Sequence, residues 1–134
     1  MPRYMLDTDI FSYASKGTNQ EVFRRLSLVS VGDVYISVIV NAEIEFGIMS
    51  SPKPERDRER SLILLQHITV LDFPREAVHD YGLIRSDLQR RGQLIGANDM
   101  LIAAHARYLG LTLVTNNIRE FSRIPGLTLE NWAE

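Results

Sequence analysis

The chain has 134 residues, 45% hydrophobic and 24% charged, with a net charge of -2, which is the size and balance of one ordinary globular domain. It contains no cysteine, so thiolate nucleophiles, thiolate zinc sites and disulfides are excluded and a reducing compartment fits. No apolar run approaches the roughly 20 residues of a membrane span, and Met1 to Leu6 lacks the pattern of a signal peptide, so the expected location is the cytoplasm.

In chain order, Arg3 to Leu6 reads as a short buried strand, and Asp7, Thr8 and Asp9 turn the chain into a helix through Ile10 to Ala14. Thr18 and Glu21 form a capping box for a helix expected to carry Val22, Phe23 and Leu26 inward. Asp33 to Ile36 is the next strand. Ser37 can cap the following helix, whose expected inner face is Ile39, Ala42 and Phe46 and whose end lies near Gly47. Ser51 to Arg60 is polar, and its Pro52 and Pro54 predict a loop before a helix containing Leu62 and Leu65. Thr69 to Phe73 is a third strand. Pro74 then opens a long helix in which Ala77, Tyr81, Ile84 and Leu88 step by three or four, until Gly92 ends it. Asn98 can cap a helix whose small Ala103 and Ala104 permit close packing on a sheet. Leu111 to Thr115 is a clear strand, followed by a weak helical piece around Glu120 and a last strand near Leu127 to Leu129.

Strands alternating with helices imply right-handed crossovers and a mostly parallel sheet, hence a three-layer α/β/α sandwich forming one domain over residues 1–134. Ligands in such folds bind beyond the carboxyl ends of the strands. Asp7 directly follows the first strand, Glu120 lies just past the strand ending at Thr115, and Asp99 falls in the first turn of its helix. Glu43 sits within the helix after the second strand. Each alone has a plain explanation as a turn, cap or dipole residue. Together they form a constellation. Carboxylates that converge without cations raise one another's pKa, a penalty that a divalent ion reverses. Oxygen-only ligands favour Mg2+ or Mn2+ over zinc, and His67, His79 and His105 show no spacing that would unite them, so they read as packing or surface histidines. The negative net charge argues against a nucleic-acid partner at first sight. Setting aside Asp7, Asp9, Glu43, Asp99 and Glu120 turns the remainder positive, and all the cations but Lys16 and Lys53 are arginines.

Four segments carry a resemblance: YMLDTDIFSY, ISVIVNAEIEFG, RRGQLIGANDMLIAAHAR and LVTNNIREFSRIPGLTLENW, which together run the length of the chain in order. The chain resembles PIN-domain ribonucleases, specifically VapC-type toxins of bacterial toxin–antitoxin pairs. The resemblance implies a metal-dependent endoribonuclease in which Asp7, Glu43 and Asp99 are the main acids, with Asp7 and Asp99 as direct Mg2+ ligands. Two positions depart from the family pattern. Asn117 stands where many relatives have an acid, which leaves Glu120 as the fourth, and Asp9 stands where Asn is frequent. Thr115 and Asn117 either hydrogen-bond the ligand carboxylates or shape the turn. Arg85, Arg90, Arg91, Arg119 and Arg123 either hold the RNA backbone or form a solvated face. Attack by water predicts 5′-phosphate and 3′-hydroxyl ends. The resemblance further implies a VapB-like antitoxin that blocks the acids, a homodimer, and a structured RNA substrate such as the anticodon loop of initiator tRNA.

Two other readings compete. A haloacid-dehalogenase-like phosphatase would use Asp7 and Asp9 as nucleophile and acid, but Ile10 and Phe11 stand where Gly and Thr are expected, and neither Lys16 nor Lys53 lies late enough. A catalytically inactive PIN-like binding module needs only the acidic pocket.

Overall fold

A computed structural model describes residues 3–134, leaving the first two residues of the expected domain outside it. The elements run β1 (Tyr4–Leu6), α1 (Thr8–Lys16), α2 (Gln20–Ser27), a 3-10 turn (Val31–Asp33), β2 (Val34–Ser37), α3 (Val38–Met49), α4 (Pro54–Leu65), β3 (Thr69–Leu71), α5 (Ala77–Arg90), α6 (Ala97–Leu109), β4 (Thr112–Val114), α7 (Ile118–Phe121) and β5 (Leu129–Glu130). The five strands form one parallel sheet in the order β3-β2-β1-β4-β5, with Tyr4 opposite both Val34 and Thr112. The expected α/β architecture is what forms. Each crossover needs a helix, so helices flank the sheet: α1 packs on α2, α3 and α4, while α5 packs on α6 and α3 touches α6.

The core lies along the central strands, where Met5, Leu6, Ile36, Leu113 and Val114 are all buried. Close helix approach comes from Ala103, Ala104 and Ala106 of α6, each fully buried. The carboxyl end of the chain is tied in by Trp132, which meets Tyr4 edge-on at 5.1 Å and lies under Arg25. Such an aromatic pair adds about 1 kcal/mol beyond its area. Among the described residues no helix is long and apolar enough to cross a membrane.

Several local expectations need correction. Asn19, not Thr18, caps α2, accepting the Val22 N–H at 3.0 Å, and Phe23 is exposed rather than inward. On α3 the buried stripe is Val40, Ile44 and Ile48, while Phe46 is 74% exposed and Ala42 also faces out. The stretch read as a loop to Arg60 is already helix from Pro54, whose missing N–H is no loss at the first helical position. Leu65 packs on the core as expected, together with Leu64, but the middle of that helix is inverted. Asp57 and Ser61 are its buried residues, with the Ser51 hydroxyl donating to the Asp57 carboxylate, whereas Leu62 and Ile63 are more than half exposed. Gly96, not Asn98, occupies the cap position of α6, so Asn98 lies inside the first turn.

Candidate active site

β1 is central, the chain steps outward through β2 and β3 on one side, and β4 and β5 fill the other. The order therefore reverses between β1 and β4, the place where open parallel sheets bind ligands. Asp7 stands at this switch point. Its backbone is still extended, its N–H reaches the Val114 carbonyl at 3.0 Å, and its Oδ1 accepts the Ile10 N–H at 3.0 Å. One residue thus ends a strand, caps α1 and sets a carboxylate at the sheet rim. Asp7 is only 7% exposed, and its pKa is pushed up to about 6, chiefly by burial. The Thr115 hydroxyl and the Ile10 N–H act the other way, and the charges of Asp9 and Asp99 raise it further.

Asp99, in the first turn of α6, is also pushed up to about 6: burial comes first, then the charges of Glu43, Glu120 and Asp9. The fields on Asp7 and Asp99 thereby link all five acids named from the sequence. Glu43 is held by two neighbours that sequence reading did not single out. The Thr8 hydroxyl of α1 donates to one of its oxygens, and the Asn98 amide of α6 stands 3.5 Å from the other. Thr8 was legible only as part of the turn, and Asn98 only as a cap. Thr115 is fully buried beside Asp7, and its Oγ accepts the Asn117 N–H at 2.9 Å. Among the described residues no hydrogen bond joins the Asn117 side chain to a carboxylate. Asn117 serves the turn into α7 through its backbone, and Glu120 rides on that short helix.

An open cleft of about 570 Å3, lined by Thr8, Ile39, Ala42, Glu43, Phe46 and Asn98, adjoins the acids. Among the described residues, no three acidic or imidazole side chains yet surround a common point as an ion would require. The chemistry of the set nevertheless fits a hard divalent cation: the donors are oxygens, and two have their pKa raised by burial and by neighbouring acids. A charge of +2 among them would reverse both shifts.

Residues 4–127 match the PIN-domain family. The chain belongs to that family. Within it this PIN domain is similar to the VapC ribonucleases. It is 42% identical to Ribonuclease VapC2 of Rickettsia felis over 130 residues, covering 96% of this chain and 97% of the relative. It is 38% identical to the tRNA(fMet)-specific endonuclease VapC of Shigella flexneri, covering 99% and 100%. The fold matches the Rickettsia felis VapBC2 crystal structure bound to a promoter DNA fragment, with a TM-score of 0.90 and 40% identity over 96% of this chain and 98% of that one. The DNA-bound VapBC of Salmonella typhimurium gives 0.91 at 36% identity, over 98% and 99%. This PIN domain is therefore a VapC-type ribonuclease of the toxin–antitoxin kind.

Proposed function

We propose that the chain, acting in the cytoplasm as one domain over residues 1–134, hydrolyses RNA at the rim formed by Asp7, Glu43, Asp99 and Glu120. The observation that carries this reading is the raised pKa, about 6, of both Asp7, buried at the switch point of the sheet, and Asp99, half-buried in the first turn of α6, each pushed up by burial and by neighbouring acids. Asp7 and Asp99 are the residues that would hold Mg2+ or Mn2+. When bound, such an ion supplies a lowered pKa for the attacking water and neutralises charge on the phosphate. Thr115 keeps the Asp7 carboxylate oriented, and Thr8 and Asn98 do the same for Glu43, which with Glu120 aligns the water. Asp9 adds negative potential at the mouth of the site.

The substrate we propose is a structured RNA, initiator tRNA in its anticodon loop. Support comes from the names of the Shigella flexneri and Salmonella typhimurium relatives, both tRNA(fMet)-specific endonucleases, at 38% and 36% identity. Arg85, Arg90, Arg91, Arg119 and Arg123 are the cations proposed for its backbone, through charge-assisted bonds to phosphate.

The partner we propose is a VapB-like antitoxin, as in the solved VapBC complexes of relatives, and a homodimer of the chain is proposed with it. Uncovered Phe23, Leu28, Phe46, Met49, Leu62 and Ile63 on α2, α3 and α4 and the turn after α2 are apolar surface that such partners would bury.

The test is cleavage of purified initiator tRNA in Mg2+, with the ends mapped. Cuts in the anticodon loop bearing 5′-phosphates, abolished by excess EDTA and by the antitoxin encoded beside the chain, are the expected result. Cleavage unaffected by EDTA would overturn the metal assignment. A phosphoaspartate on Asp7 would favour the phosphatase reading, and tRNA bound but never cut would favour the inactive module.

A further inference from the structure

His105 is fully buried in α6, among apolar side chains, with Phe73 edge-on to its ring at 5.3 Å. Burial holds its pKa down at about 4, so the ring is neutral at ordinary pH. Among the described residues its Nε2 has no hydrogen-bond partner. A leucine or phenylalanine there would avoid that orphaned polar atom, so the ring needs another reason. Its hydrogen bond to Ser37 supplies it. Nδ1 lies 2.8 Å from the Ser37 hydroxyl, and the same hydroxyl oxygen accepts the Ile39 N–H at 3.1 Å, capping α3.

Ser37 precedes Glu43 by six positions, and Asp99 precedes His105 by six. At about 1.5 Å per residue, each acid therefore sits roughly 9 Å along its helix from the buried bond. A second contact between these helices, from Asn98 to Glu43, occurs at the rim. α3 and α6 are thus pinned twice, once deep in the core and once beside the acids. The deep pin is the rigid one, because water cannot compete for it.

We propose that His105 is a positioning residue of the hydrolytic site: through its hydrogen bond to Ser37 it fixes the separation of α3 and α6, and with it the distance between Glu43 and Asp99. The inference rests on the nuclease reading for its functional meaning, though not for its geometry.

The experiment compares His105→Phe with His105→Asn. Phenylalanine keeps the ring and removes both nitrogens. Asparagine loses the ring but offers a polar atom at the Nδ1 position. A residue that merely fills the core gives activity that follows stability. A positioning residue inverts the order: the Phe variant melts at or above the parent temperature yet has kcat reduced roughly ten- to a hundredfold at unchanged KM, while the less stable Asn variant cleaves faster than the Phe variant. Rates that follow melting temperature, or a folded Phe variant with parental kcat, overturn the proposal. Ser37→Ala and Ser37→Thr test the same bond from the other side, and threonine, which keeps the hydroxyl, restores the rate. Should the parent cut no RNA at all, the nuclease reading fails by itself. The pin is then read from the Asn98 side-chain amide resonances, which move in His105→Phe and return in His105→Asn. Resonances unmoved in both variants would refute it.

Discussion

Asp7 and His105 are both buried ionisable groups of the same domain, and both are held toward their neutral forms, yet the two regions treat the penalty differently. At the rim, Asp7 has neighbours of its own sign, Asp9 and Asp99, so a cation bound among them would reverse its shift. In the core, His105 is fully buried, with the Ser37 hydroxyl at Nδ1 and Phe73 edge-on to its ring. The rim stores an electrostatic penalty that the proposed cation would relieve. The core uses a permanent one to hold geometry. A functional site and its support can therefore be told apart by asking whether the strain is reversible.

The largest effect that would break this contrast is on the chemistry. Asp7→Asn keeps the Oδ1 that caps α1 and removes the charge, so tRNA cleavage in Mg2+ should fall by roughly a thousandfold or more with the circular dichroism spectrum unchanged. Parental cleavage by this variant would remove Asp7 from the mechanism. Next in size is stability without metal. Because burial raises the Asp7 pKa from 3.8 to about 6, its ionised form opposes folding, and Asp7→Asn in EDTA at pH 7 should be more stable by up to about 3 kcal/mol in urea titration. A loss instead would mean that the charge supports the fold. Divalent ions should then narrow the gap: at a hundred times its dissociation constant, Mg2+ stabilises the parent by about 2.7 kcal/mol, while the Asn variant gains less. Equal gains would refute the proposed ligand.

The smallest effect is the pH profile of metal-free protein. The raised acids Asp7 and Asp99 bind protons in the folded state first, so their contribution to stability grows as pH falls through about 6 toward the unfolded value near 3.8. His105, lowered from 6.5 to about 4, does the reverse: the unfolded chain takes up its proton first, and stability is lost as pH falls through that interval. The two slopes oppose each other in the parent. Thermal melts in EDTA should show His105→Phe becoming relatively more stable on acidification and Asp7→Asn relatively less, and parallel profiles would disprove the assignment.

The edge on which these acids fall was readable in the sequence, because the parallel α/β plan carries strand ends to one edge, where an acid right after β1 and acids on the helices that follow the other strands lie. The contacts of Glu43 were not readable, since Thr8 and Asn98 lie 35 and 55 positions from it. The orientation of α3 was lost for a different reason. Its sequence VIVNAEIEFGIM is apolar almost all round, so the stripes through Phe46 and through Ile44 compete on equal terms, and only packing against α1, α4 and α6 selects the second. For α4, the run ERDRER hid a helix because its buried positions are Asp57 and Ser61 rather than apolar residues. His105 was assigned to packing, which its burial satisfies, but its tie to Ser37 spans 68 positions and leaves no local trace.

The two exposed apolar residues of α4 have a consequence for handling the isolated chain. While Leu64 and Leu65 pack on the core, Leu62 and Ile63 face bulk water beside a shallow hollow of about 480 Å3 that they help to line. Purified alone, such a molecule should stick to itself as it is concentrated, so its colloidal behaviour will register a missing companion before any enzymatic assay is run.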